Sequence, residues 1–213
     1  MKELYEQLKP QIANRIWHTS AHYTCDEAYY DVNEEDLPLF EQSETLIIVT
    51  LNLPVKIAFS KNSSEKKLMK PYEISINQNH ALFSLYDYCK RYEQRKFIWI
   101  GIHPDIPQEF KHEIDEQLAI EFNCKAVYLA EELLDQFKLN CTHHIWPHFQ
   151  KFGLSQKLID IESIFNQYEN INSEISKVIL STYDKGYVML TDYRLLMVPK
   201  ICIKTNPGIK FHY

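Results

Sequence analysis

From residue 45 onward the apolar positions arrive in short unbroken runs, separated by stretches with a helical repeat. TLIIVTL (45–51) is apolar at nearly every position, which is the pattern of a strand buried on both faces. KFIWIGI (96–102), CKAVYL (124–129) and GYVMLTD (186–192) share that character, and IKFHY (209–213) predicts a last strand. Between these runs the period changes. HALFSLYDYCKRY (80–92) is helix-like, and Phe110, Ile114, Leu118 and Phe122 step by four behind Pro107, a residue suited to a first helical turn. AEELLDQF (130–137), a long segment over 156–181 and YRLLMVPKICIK (193–204) predict three more helices. Strands and helices alternating through short links predict βαβ units and a mainly parallel sheet. Residues 45–213 are therefore expected to form an α/β, three-layer, Rossmann-like domain.

Upstream the pattern differs. Leu4, Leu8, Ile12 and Ile16 repeat at i, i+4 and predict a helix over 1–20 that Pro10 bends. Residues 21–44 are aromatic and acidic without a period and predict an irregular surface strap. Residues 1–44 are thus expected to be an N-terminal helix and irregular extension. SKNSSEKKLMK (60–70) is polar and lysine-rich and predicts an exposed loop.

Composition narrows the function classes. The chain has 213 residues, 45% of them hydrophobic, enough for one sizeable core. A net charge of −6 argues against indiscriminate attraction to nucleic acid or an anionic membrane. No apolar run approaches the roughly 18–20 residues needed to span a bilayer. MKELYEQLKPQ at the start lacks the apolar core of a secretory signal, and Cys25, Cys89, Cys124, Cys141 and Cys202 are odd in number and scattered among apolar segments. Reduced, buried thiols in a cytoplasmic protein follow, without disulfides. Only four glycines occur, Gly101, Gly153, Gly186 and Gly208. Neither a G-x-G-x-x-G turn nor a P-loop can be written with them, so a glycine-rich phosphate cradle is excluded.

Candidate chemistry is sparse. HHIWPHFQ (143–150) follows Cys141 closely, and His143, His144 and His148 beside a thiol suggest a metal. Helical spacing would put His144 and His148 on one face, but Pro147 between them would disrupt such a turn, and no C-x-x-C or H-E-x-x-H accompanies them. The expectation is histidines following a helix end, partly exposed, with no metal and no other cofactor. No G-x-S-x-G elbow occurs. Glu113 and Asp115 are paired carboxylates on a helix face, where solvation explains them. Asp192 differs, because it ends a buried strand where open α/β sheets place ligands. It equally precedes a helix as an N-cap, and both roles remain open and compatible.

Several stretches then fall into one order. EFNCKAVYLAEELLDQF (121–137), HHIWPHF (143–149) and YVMLTDYRLLMVPK (187–200) together resemble the trehalose-6-phosphate synthase family, retaining glucosyltransferases of GT-B type with two Rossmann-like halves. That family carries Phe-Asn-Cys-x-Pro-Val-Phe-Leu, Leu-Trp-Pro-Leu-Phe-His-Tyr and His-Asp-Tyr-His-Leu in this order. LIIVTLNLPVKI (46–57) looks like its first strand and FIWIGI (97–102) like its Trp-x-Gly-Trp strand. The likeness covers about residues 45–213, the N-terminal half, and the family's next motif would begin just after Tyr213.

The resemblance implies transfer of glucose from UDP-glucose to glucose 6-phosphate, and it also implies that most of the machinery is missing. The arginine that grips the acceptor phosphate aligns with Asn52. The glycine pair near the donor phosphates falls around Asn79 and His80. The acceptor-site tryptophan is Ile102, a tyrosine hydroxyl is lost at Phe137, and two histidines are Thr191 and Arg194. Trp146, Asp192 and Tyr193 remain as a vestigial substrate-binding set, with no catalytic residue. A charge-assisted hydrogen bond to phosphate is worth about 1.5–3 kcal/mol, so losing the arginine fork alone weakens acceptor binding strongly. The resemblance therefore implies a synthase-like domain in trehalose biosynthesis, non-catalytic as this chain alone, with a regulatory or scaffolding role. Such domains form N-terminal parts of trehalose-6-phosphate phosphatases and regulatory subunits of the trehalose complex. Its partners would be other subunits of a synthase/phosphatase complex or a second copy, with no nucleic acid and no membrane. The alternative is a sugar-nucleotide- or sugar-phosphate-binding part of an active synthase.

Overall fold

The computed structural model describes residues 44–59, 70–92, 96–149 and 161–212. The helix expected over 1–20, the strap over 21–44 except Glu44, the loop over 60–70 except Lys70 and the first residues, 156–160, of the helix expected over 156–181 lie outside the described residues, as does Cys25. The elements follow the expected alternation. They are β1 (Thr45–Asn52), β2 (Val55–Phe59), β3 (Tyr72–Ile76), α1 (Phe83–Tyr92), β4 (Phe97–Pro104), α2 (Gln108–Phe122), β5 (Cys124–Leu129) and α3 (Glu131–Asn140). Beyond α3 come a π turn (Cys141–Ile145), α4 (Trp146–Phe149), α5 (Ile161–Thr182), β6 (Gly186–Leu190), a 3-10 turn (Tyr193–Leu195), α6 (Val198–Thr205) and β7 (Lys210–His212).

Five strands form one sheet in the order β5-β4-β1-β6-β7, and every neighbouring pair is parallel. The chain builds leftward from β1 through β4 to β5, then returns to the other side of β1 as β6. Strand order therefore reverses beside β1, and the carboxyl ends of β1 and β6 flank the topological switch point, where open α/β sheets place ligands. Alternate residues of the strands feed two separate cores. Ile47, Val49 and Leu51 of β1 pack with Ile100, Ile102 and Val127 against α3, α5 and α6. Ile48 packs with Phe97, Trp99 and Cys124 against α1 and α2, through Tyr86, Ile114 and Leu118. This is the three-layer arrangement the doubly apolar runs predict. No helix among the described residues is long and apolar enough to cross a membrane.

Two glycines meet backbone where a side chain would not fit. A Cβ at Gly186, whose φ is 127°, would lie 2.1 Å from the Thr45 carbonyl oxygen. One at Gly101 would lie 2.8 Å from the backbone of Asn52 and Leu53. Gly101 thus permits the close approach of β4 to the end of β1, at the point where their register shifts.

The structure departs from the sequence pattern in three places, the first being that the helix expected over 193–204 divides into the 3-10 turn (Tyr193–Leu195) and α6 (Val198–Thr205). The hairpin β2–β3, antiparallel from Val55↔Ile76 to Phe59↔Tyr72, was not expected. Its inward residues pack on α2, with the Phe59, Tyr72 and Phe110 rings about 6 Å apart. Pro147 also does not end the helical run at the histidines. The helix continues from α3 into α4 by widening at Cys141–Ile145, where the Trp146 N–H reaches the Cys141 carbonyl, five residues back. A proline lacks the N–H of an i→i−4 bond and its ring crowds that carbonyl, and a wider turn removes the conflict. His143 and His144 therefore sit within the π turn, exposed and half-buried respectively, rather than beyond a helix end.

Candidate functional site

The carboxyl edge of the sheet has two mouths. At the first, β1 ends on Asn52 and β4 ends on Ile102, His103 and Pro104; with Lys56 and Asn77 near the hairpin they line a cleft of about 330 Å3. Asn52 is exposed and neutral. Its carbonyl accepts the Thr50 hydroxyl at 2.5 Å and His80 Nε2 at 3.0 Å. The Leu82 N–H donates to His80 Nδ1 at 3.1 Å. Both ring nitrogens are thus used by backbone, in the neutral tautomer that carries its proton on Nε2. Ile102, 2% exposed, supplies an apolar wall. His103 Nδ1 lies 2.8 Å from the Pro104 carbonyl, which places the proton there, and burial holds this imidazole below its ordinary value.

The second mouth, at the end of β6, is built around Asp192. Thr191 fastens the strand end to β1, its N–H and hydroxyl both donating to the Val49 carbonyl at 3.2 Å. The Asp192 carboxylate then receives three bonds from one residue. Oδ1 accepts from the Arg194 N–H at 2.9 Å and from Arg194 Nε at 2.8 Å, and Oδ2 accepts from Arg194 Nη2 at 2.6 Å. The first of these is an N-cap on the 3-10 turn, as the alternative reading of Asp192 proposed. The other two form a bidentate ion pair whose side chains are only 15% and 24% exposed. Burial disfavours the Arg194 charge, but the carboxylate more than offsets it and holds the guanidinium above its ordinary value.

Trp146 and Tyr193 meet at this mouth. Their ring centroids are 4.4 Å apart at 45°, and the Arg194 Cζ lies 5.4 Å from the Tyr193 ring. Trp146 is 37% exposed. The sequence-selected residues Trp146, Thr191, Asp192, Tyr193 and Arg194 therefore converge. Phe137 lies beneath them, buried and stacked on Tyr168 at 6.0 Å and 22°, whereas Asn52 and Ile102 stand at the other mouth.

Sequence reasoning missed a buried polar column on α5. Tyr168 donates its hydroxyl to the Tyr193 carbonyl at 3.3 Å. Asn172 Nδ2 donates to the Arg194 carbonyl at 3.0 Å and to the Tyr168 carbonyl at 2.8 Å. Ser176 donates to the Asn172 carbonyl at 2.7 Å. These side chains hold the backbone of the 192–194 turn from inside the core. Their signal was available as polar residues at i, i+4 and i+8 among Phe165, Ile171, Ile175 and Ile179 on an otherwise apolar helix.

Among the described residues no group of three or more histidine, cysteine or acidic side chains is arranged to hold a metal ion. The His143 and His144 rings are 6.4 Å apart, and the side chains of His148 and Phe149 lie outside the described part. Cys89, Cys124, Cys141 and Cys202 are buried and form no disulfide. Burial pushes the Cys141 and Cys124 thiols up to about 12 and that of Cys202 up to about 11, so none offers a thiolate.

Comparison with known proteins places this arrangement. The model of glycosyltransferase family 20 matches residues 44–213. The 56 kDa subunit of the Saccharomyces cerevisiae alpha,alpha-trehalose-phosphate synthase is 27% identical over 158 residues, which cover 73% of this chain and 30% of that protein. A probable alpha,alpha-trehalose-phosphate synthase of Arabidopsis thaliana is 27% identical over 128 residues, 56% of this chain and 15% of that protein. The chain thus spans less than a third of the length of these relatives. Among solved structures, the N-terminal domain of the Candida albicans trehalose-6-phosphate phosphatase superposes with a TM-score of 0.60 at 18% identity, over 81% of this chain and 33% of that one. That likeness is one of fold.

Proposed function

Because the chain belongs to glycosyltransferase family 20, we propose that it is a trehalose-phosphate synthase-like domain of trehalose biosynthesis, regulatory or scaffolding in role and not catalytic by itself. One observation carries this reading. The charged acceptor that survives at the second mouth, Asp192, has both carboxylate oxygens taken by Arg194 of the same chain. A sugar hydroxyl would have to displace a bidentate, charge-assisted pair to reach it. The first mouth supports the same conclusion from the opposite direction. Asn52 brings no charge to the end of β1, and the wall at Ile102 is aliphatic, so a phosphate ester finds no guanidinium fork there.

Catalysis of glycosyl transfer depends on charges preorganised around the breaking bond. A site whose one carboxylate is neutralised internally and whose strand end is neutral lacks that preorganisation. The role left to the domain is to dock, with other subunits of a trehalose synthase/phosphatase assembly or with a second copy as the partner. The expected outcome is no trehalose 6-phosphate formed by the purified chain from UDP-glucose and glucose 6-phosphate, together with co-sedimentation with an authentic synthase subunit. Transfer by the chain alone would reject the reading in favour of the working donor- or acceptor-binding half of an active synthase. A monodisperse monomer that never associates would reject the scaffolding role.

A further inference from the structure

We propose that Arg194 is a built-in occupant of the second mouth: its guanidinium fills the ligand place on Asp192 and decides that this crevice admits no small hydroxylated molecule. The inference deepens the reading of the carboxyl edge as a former sugar site and rests on it. Three observations support it.

The first is the completeness of the occupation. A carboxylate offers about four lone-pair positions, and Arg194 uses three of them through its N–H, Nε and Nη2. A planar guanidinium presents two parallel N–H donors to a carboxylate. A vicinal diol presents two O–H donors to the same pair of oxygens. The side chain therefore stands where such a ligand would make its polar contact.

The second is what surrounds the pair. Sites for small molecules combine aromatic walls with a few placed polar groups. Here Trp146, still partly exposed, lies against Tyr193 within one residue of Asp192. The aromatic wall and the carboxylate are both present, and the polar contacts of that carboxylate go to Arg194, whose own side chain is 24% exposed.

The third is that the turn does not depend on the arginine side chain for its shape. Tyr168 and Asn172 hold the carbonyls of Tyr193 and Arg194 from the core, and the Arg194 N–H remains capped by Asp192 whatever the side chain. The occupant is thus separable from the frame. An internal ligand two residues away is present at high effective concentration. If the pair is open roughly one time in a hundred, the apparent affinity of an outside ligand falls about a hundredfold.

The test is a titration of the 15N-labelled chain with glucose, a neutral molecule with vicinal hydroxyls, following the indole N–H of Trp146 as assigned with Trp146→Phe. The wild-type signal is expected to stay unshifted into the tens of millimolar. Arg194→Gln keeps a polar side chain over Tyr193 but frees at least one carboxylate oxygen. It should give a saturable shift at least about tenfold tighter than wild type, and Asp192→Asn/Arg194→Gln should lose it. Arg194→Lys, a point charge in place of a fork, should fall between wild type and Arg194→Gln, and it serves in its place if that variant does not fold. An equal response in wild type and Arg194→Gln, silence in a folded Arg194→Gln, or a shift that survives in the double variant each overturns the proposal. The non-catalytic reading fails on a different result, glucosyl transfer by the wild-type chain.

Discussion

The two mouths of the carboxyl edge lie on neighbouring strands, yet their polar groups are arranged in physically different ways. At the β1–β4 mouth the strand end is neutral and the cleft stands open, with Asn52 exposed, Ile102 forming a wall and Lys56 on the hairpin side. At the β6 mouth the charge is present and closed upon itself in the Asp192–Arg194 pair. Removing a charge leaves nothing to be satisfied, so the first mouth needs no compensating change. Keeping a half-buried carboxylate requires a partner, because an unpaired charge there would be costly. The second mouth is therefore the more constrained of the two.

The strongest way to break that comparison is to close the open mouth from inside the sheet. Gly101→Val would place a Cβ 2.8 Å from the backbone of Asn52 and Leu53, with no flexible side chain to give way. The β1–β4 register must then separate, and the expected loss is about 3 kcal/mol, read as a lower urea midpoint with an unchanged slope. A Gly101→Val chain as stable as wild type would show that the close approach is dispensable.

A second, smaller effect comes from the closed mouth and is asymmetric. Asp192→Ala removes the N-cap and also strands the guanidinium of Arg194, which is only 24% exposed. Partial exposure reduces the full penalty of a buried unpaired charge, leaving an expected cost of about 2 kcal/mol. Arg194→Ala leaves Asp192 still capping the turn and should cost about 1 kcal/mol. Thermal or urea unfolding of the two variants side by side decides it. Equal losses would mean that the ion pair, which both variants break, outweighs the cap, which only Asp192→Ala removes; a loss confined to Asp192→Ala would shrink the contrast between the mouths to the geometry of the cap.

Much of the frame was legible in the sequence because its signals are local. The runs TLIIVTL, KFIWIGI and CKAVYL have the pattern of buried strands, and each forms a strand of the sheet. Trp146 and Tyr193, singled out with Asp192 through the resemblance, meet with ring centroids 4.4 Å apart. What escaped were pairings between distant residues. VKIAF and YEISI alternate weakly and become a hairpin only through each other and through Phe110. Arg194 read as a lost histidine, not as the partner of Asp192, because spacing two apart says nothing of a side chain folding back. Tyr168 and Asn172 belong to the same class of distant pairing, since the carbonyls they hold, those of Tyr193 and Arg194, lie 25 and 22 residues along the chain. Pro147 read as a breaker because a proline forbids an α turn, and the π turn that absorbs it has no residue signature of its own.

The smallest effect separates the mouths by acid. Burial holds His103, at the open cleft, below its ordinary value against a weaker upward pull from the Pro104 carbonyl. Burial and then the neighbouring charge of His143 lower His144, in the π turn near the closed mouth. In both cases the unfolded chain binds a proton more readily than the folded one. Their contribution to stability is therefore complete above about pH 6.5 and is lost as pH falls through the lower folded-state values. Staying above about pH 5 keeps carboxylates such as Glu113, which Lys70 holds below its ordinary range, out of the measurement. His103 is the more deeply buried of the two, so His103→Gln should flatten the fall in urea midpoint between about pH 7 and about pH 5 more than His144→Gln does. Each histidine should contribute less than about 1 kcal/mol over that window. The opposite order would mean that the π turn, and not the cleft, is where protonation strains the fold. An unchanged slope in both variants would move the acid sensitivity away from the carboxyl edge altogether.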